Sequence, residues 1–142
     1  MKQKMMMVGL ASLLAASAIS LTASAGKEDR DYKEKELMPA VKEIEAKFKS
    51  ACGCGLAIAI DEATVKTKDA YIVVKYMVSA VAEGVAGYCT DAASKKAMCQ
   101  MKTLVLAKAA EATFTFKGGK GIATTDGQSH VSFEMITQEL DK

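Results

Sequence analysis

From Pro39 onward the apolar positions take the period of a helix. Val41, Ile44 and Phe48 recur with Lys42, Glu43, Glu45 and Lys47 between them, and Ala51 and Cys52 carry the stripe one turn further. Pro39 suits the first helical turn, where a missing N–H costs nothing, and Gly53 suits the end. The period then drops to two. Cys54, Leu56, Ile58 and Ile60 alternate with Gly55, Ala57 and Ala59 up to Asp61-Glu62, which predicts a strand. Over residues 67–88 the helical period returns, with Lys75, Ser79 and Glu83 on one stripe and Val74, Val78, Val81, Val85 and Tyr88 on a roughly opposite one. The apolar content predicts a long, mostly buried helix.

A short helix capped by Thr90 or Asp91 is expected over 91–98. Three strands follow, at 103–108 (TLVLAK), 112–117 (ATFTFK) and 121–125 (GIATT). Gly118-Gly119 between the last two is a two-residue hairpin signal, and that turn pairs Phe116 with Gly121 and Phe114 with Ala123. Each ring would then cover a small residue on the next strand. Phe133, Ile136 and Leu140 close the chain at helical spacing, with Asp126 or Ser129 as the cap. The order α-β-α-(short α)-β-β-β-α predicts an α+β domain over 39–142, an antiparallel sheet of about four strands with helices packed mainly on one face.

The N-terminal pattern is of another kind. Residues 1–25 place Lys2 and Lys4 before an apolar run from Met5 to Leu21 and end in Ala23-Ser24-Ala25, the form of a cleaved secretory signal. Cleavage there leaves 117 of the 142 residues, enough for one core. Removing Lys2 and Lys4 from the 19 Lys and Arg leaves 17, equal to the 17 Asp and Glu. A neutral chain gives no reason to expect a nucleic-acid partner. No integral membrane segment is expected after cleavage, because Lys75 interrupts the apolar run Ile72–Val78. Residues 26–38 are almost all charged and read as a solvated arm or a frayed helical extension.

Four cysteines, Cys52, Cys54, Cys89 and Cys99, in a short exported chain point to two disulfides and to a periplasmic or secreted location. A helix returning across the sheet brings all four to one end of the molecule. A bridge within Cys52-Gly53-Cys54 needs a very tight ring, so cross-pairing of 52/54 with 89/99 is favoured, in either connectivity. The alternative is thiol–disulfide exchange at Cys52/Cys54, or Cu(I) handling by these cysteines with Met98 and Met101. A four-cysteine zinc site fits an oxidising compartment less well, and no metal or other cofactor is expected.

His130 is the only histidine, so a small hydrolase would have to use it, with Thr125, Asp126, Ser129 or Ser132 nearby in sequence. No nucleophile-elbow motif accompanies it. Lys117, Gly118, Gly119 and Lys120 can present N–H groups and two ammonium groups to an anion, but lack the Ser/Thr of a phosphate-binding loop. The reading that remains is a disulfide-stabilised, non-catalytic binding or interaction protein whose partner is a protein or small ligand.

Overall fold

The structure is a computed structural model and describes residues 26–142; the proposed secretory signal lies outside the described residues. Residues 26–32 are α-helical, Lys33–Leu37 form a π-helical turn, and α1 (Met38–Cys52) continues in the same direction. The widened turn has a cause in Pro39. It has no N–H to give a carbonyl four residues back, and its ring crowds that position, so the ladder is loosened just upstream, where the Met38 N–H bonds to the Lys33 carbonyl. Gly53 ends α1 at φ 78°, a conformation that suits glycine.

The remaining elements are β1 (Ala57–Ile60), α2 (Lys68–Tyr88), α3 (Ala92–Met98), β2 (Thr103–Lys108), β3 (Phe114–Lys117), β4 (Lys120–Thr125) and α4 (Phe133–Leu140). The Thr67 hydroxyl caps α2 by accepting from the Ala70 N–H, and Asp91 caps α3 by accepting from Ser94. The cap of α4 is Ser132, which accepts from the Met135 N–H. Asp126 and Ser129, expected in that role, lie in the loop before it.

The fold is α+β with two disulfides. Its sheet is mixed where an antiparallel one was expected. The strand order is β1-β2-β4-β3, with β1 and β2 parallel, β2 and β4 parallel, and only β3 and β4 antiparallel. Helix α2 explains the first parallel pair: it carries the chain back to the end where β1 began, so β2 starts there too. The second follows because β4 rather than β3 lies beside β2. Strand β4 is the more buried of the two, with Gly121, Ala123 and Thr125 facing inward, whereas Thr115 and Lys117 leave β3 suited to an edge.

The β3–β4 turn has Gly118 at φ 59° and Gly119 at φ 79°, and pairs Phe116 with Gly121 and Phe114 with Ala123. The ring over Gly121 is that of Phe114, its diagonal neighbour, not that of Phe116. A Cβ at Gly121 would lie 2.9 Å from Phe114 Cε2 and 2.7 Å from Met101 Sδ.

Phe48, Val74, Met77, Leu104, Leu106 and Ile136 are among the fully buried residues between sheet and helices. Helix α2 is long and apolar enough, by length and composition, to cross a membrane, yet only 39% of its most apolar stretch is buried in the fold. Residues 26–37 lie along it. The Asp29 carboxylate accepts from the Lys68 N–H at the start of α2, Lys68 and Lys75 pair with Glu28 and Glu36 at 3.0 Å, Lys33 pairs with Glu62, and Leu37 is fully buried.

Candidate functional site

Disulfides join Cys52 to Cys89 and Cys54 to Cys99, with Cα separations of 5.2 and 6.0 Å. The first ties the end of α1 to the end of α2. The second ties the approach to β1 to the residue after α3. Gly53, turning the chain through its left-handed conformation, sends the two neighbouring cysteines into different bridges. They remain close, with Cys99 Sγ 3.5 Å from the Cys52 carbonyl oxygen. Cys52 and Cys89 are buried, while Cys54 and Cys99 are half-buried. The described residues contain no free thiol.

Met98 and Met101, the proposed soft partners of those cysteines, are fully buried, and Met101 packs against Gly121. Both sulfurs lie in the core, that of Met101 beneath the hairpin, and thioethers commonly serve this way in irregular gaps. Lys117 and Lys120 form a cross-strand pair beside the turn, both exposed. The Gly119 carbonyl accepts from the Lys102 and Thr103 N–H groups, which anchors the turn to the start of β2.

The loop after β4 is held by a device the sequence did not single out. Thr125, the one buried polar residue among those described, donates its hydroxyl to the Ser129 carbonyl and accepts from the Gly127 N–H. The Asp126 carboxylate accepts from the Gln128 and Ser129 N–H groups at 2.8 and 2.6 Å. The Ser129 and then the Gln128 bond hold its pKa below the ordinary aspartate value. This folded loop presents His130 at the surface.

The His130 Nδ1 lies 3.2 Å from the Val131 carbonyl oxygen, which can only accept, so in this contact Nδ1 is the donor. None of the neighbours considered for hydrolysis is bonded to the imidazole: Thr125 and Asp126 build the loop and Ser132 caps α4.

His130 instead borders an open groove of about 590 Å³, with Gln128 on its own side and Val73, Tyr76, Ser79, Ala80 and Glu83 from α2 on the other. Ser79 Oγ donates to the Lys75 carbonyl, so its single proton is turned back onto its own helix. Tyr76 is 66% exposed, the one exposed large hydrophobic side chain among the described residues. The spacing of Lys75, Ser79 and Glu83 did not single it out, although it lies close to Glu83 around the helix. Taking 100° per residue, it falls on the outward ridge of α2 with Glu83 and Gly87, opposite Val74 and Val81. Two further clefts adjoin along Ser79, Ala82 and Glu83 and reach Lys47 on α1. The side of α2 away from the sheet is therefore a ridge bearing the exposed Tyr76, with an open groove along each flank.

The chain matches no protein-family model, no curated protein and no solved structure.

Proposed function

We propose that the protein is a small exported interaction domain, stapled by its two disulfides and without chemistry of its own, which docks a protein partner on the outer side of α2. The observation that carries this reading is the exposed Tyr76 on the outward ridge of α2, with open grooves along both flanks. An exposed amphipathic aromatic ring is the kind of residue on which interfaces concentrate their energy. The basic start, apolar run and small-residue end of residues 1–25 support export, and two disulfides fit an oxidising compartment. Non-catalytic binding is favoured by the lone histidine, whose ring bonds only to backbone, and by the cysteines being used as staples.

Two measurements test it. Terminal sequencing of protein from the periplasm or medium should begin at Gly26; protein retained in the cytoplasm with residues 1–25 attached overturns export. A photo-reactive residue replacing Ala80, beside Tyr76, should give a discrete cross-linked protein in cells. The same residue at Thr115, exposed on β3, should not. Equal labelling at both positions, or none at position 80, overturns docking on α2.

A further inference from the structure

The first turn of α2 carries a tyrosine whose polar end the fold leaves unused. Tyr71 is only 7% exposed, yet its hydroxyl has no hydrogen-bond partner among the described residues. No side-chain oxygen among them is both sealed from solvent and unpartnered, so this hydroxyl opens on a surface. That surface is a cleft of about 390 Å³ between the helix of residues 26–37 and the loop before α2, and it shares no residue with the grooves beside Tyr76. Buried phenols ordinarily find a partner, so an unpaired O–H on a fixed ring offers a donor to whatever enters the cleft.

The walls supply charge. Arg30 and Lys33 come from the helix and Lys66 from the loop, with Glu34 and Glu62 as the acids. Lys33 and Glu62 satisfy each other as an ion pair. Arg30 and Lys66 enter no ion pair among the described residues, and Glu34, one turn beyond Arg30, does not reach it. Three cations against two carboxylates leave one positive charge in excess. Both walls are fixed in advance. Asp61 folds the loop by accepting from the Ala63 N–H and the Thr64 hydroxyl, the Lys108 N–H ties Thr64 to β2, and Asp29 holds the helix to the start of α2.

We propose that this cleft binds a small organic monocarboxylate. The planar guanidinium of Arg30 can give a carboxylate two parallel N–H bonds, Lys66 adds a point charge, and the Tyr71 hydroxyl donates a further bond. One carboxylate neutralises the excess charge, whereas a doubly charged phosphate would meet added repulsion from Glu34 and Glu62. Val65 and the Tyr71 ring give the rest of the ligand an apolar floor. The test is titration of the oxidised protein, purified from an exporting host, with sodium acetate, benzoate or phosphate against sodium chloride at constant ionic strength, followed by NMR. Acetate and benzoate should shift the signals of Arg30, Lys66 and Tyr71 saturably, benzoate with the lower Kd. Arg30→Gln should raise the benzoate Kd at least about tenfold, and Tyr71→Phe, which keeps the ring, about threefold or more, with circular dichroism and both disulfides intact. Lys96→Gln, exposed on α3, should leave it unchanged. No saturable shift with either carboxylate, a Kd unmoved by Arg30→Gln or by Tyr71→Phe, or one raised as much by Lys96→Gln, overturns the site. Phosphate binding more tightly than benzoate overturns the monocarboxylate as its ligand.

Discussion

The ring of Phe133 lies directly on Gly84, so that a Cβ added to this glycine would fall only 2.1 Å from the ring's Cγ. The C-terminal helix thereby approaches α2 more closely than any side chain at position 84 would allow. An edge-on contact between Phe133 and Tyr88, with centroids 5.8 Å apart, and a bond from the Tyr88 hydroxyl to Asp141 complete the joint. Gly84→Ala should destabilise the protein despite the better helix propensity of alanine. Overpacking costs about 1–3 kcal/mol and propensity returns about 1 kcal/mol at most. Denaturant unfolding of the oxidised protein measures the balance, and Phe133→Leu in the same chain should recover part of the loss. A stabilised Gly84→Ala would show that the helices do not meet there.

The two disulfides should differ in accessibility more than in stabilising effect. They span 37 and 45 residues, so restriction of the unfolded chain contributes about 4 kcal/mol for each, nearly equal. Their exposure is unequal, with Cys54 and Cys99 half-buried and the other pair buried. Brief treatment of the folded protein with mild reductant and alkylating agent should therefore label Cys54 and Cys99 first. Peptide mapping that finds Cys52 and Cys89 labelled earlier would contradict the packing around α1.

The acid limb of stability should depend on Asp91 and Asp126. Both have pKa values held below 3.8, Asp91 by hydrogen bonds from Ser94 and Asp126 by those from Ser129 and Gln128. A carboxylate with a lowered folded pKa stabilises fully above its unfolded value and loses that contribution as pH falls through the folded one. The loss therefore belongs below about pH 4. Asp91→Asn with Asp126→Asn keeps a capping oxygen but removes the titration, so melting temperature should fall less steeply between pH 4 and pH 2 than in the parent. Parallel slopes would count against these bonds.

At the hairpin, Gly118 and Gly119 both have positive φ. Asparagine tolerates that region better than other side chains, whereas a β-branched residue does not. Gly118→Asn should change stability little, and Gly119→Val should cost about 1–2 kcal/mol or more, read by thermal unfolding. Equal effects of the two would argue for a different turn.

The elements were legible wherever the chain states its own period. The alternation at Leu56, Ile58 and Ile60 marked β1, the spacing of Val41, Ile44 and Phe48 marked α1, and Gly118-Gly119 set the β3–β4 register. Strand direction was less accessible, because nothing local in TLVLAK says whether its neighbour runs parallel. That depends on α2 bringing the chain back and on β4 settling beside β2. Tyr76 was missed for a related reason. A single aromatic in a strongly apolar helix looks like core until the packing decides which side is covered, and here the sheet, α1 and α4 leave one ridge open. The role of Thr125 had no sequence signal, since its hydrogen bonds go to backbone groups two and four residues on.

The central place of β2 bears on how the chain reaches this structure. Its pairing with β1 joins Ala57 to Thr103, partners separated by more than forty residues, so the sheet cannot begin where the chain first becomes extended. The contacts available earliest are local: the turn at Gly118-Gly119 and the apposition of α1 with α2. Strand β1 must therefore wait, unpaired and rich in alanine and isoleucine, until the segment beyond Cys99 arrives. Crowded nascent chains would be most vulnerable to cross-strand aggregation during that interval.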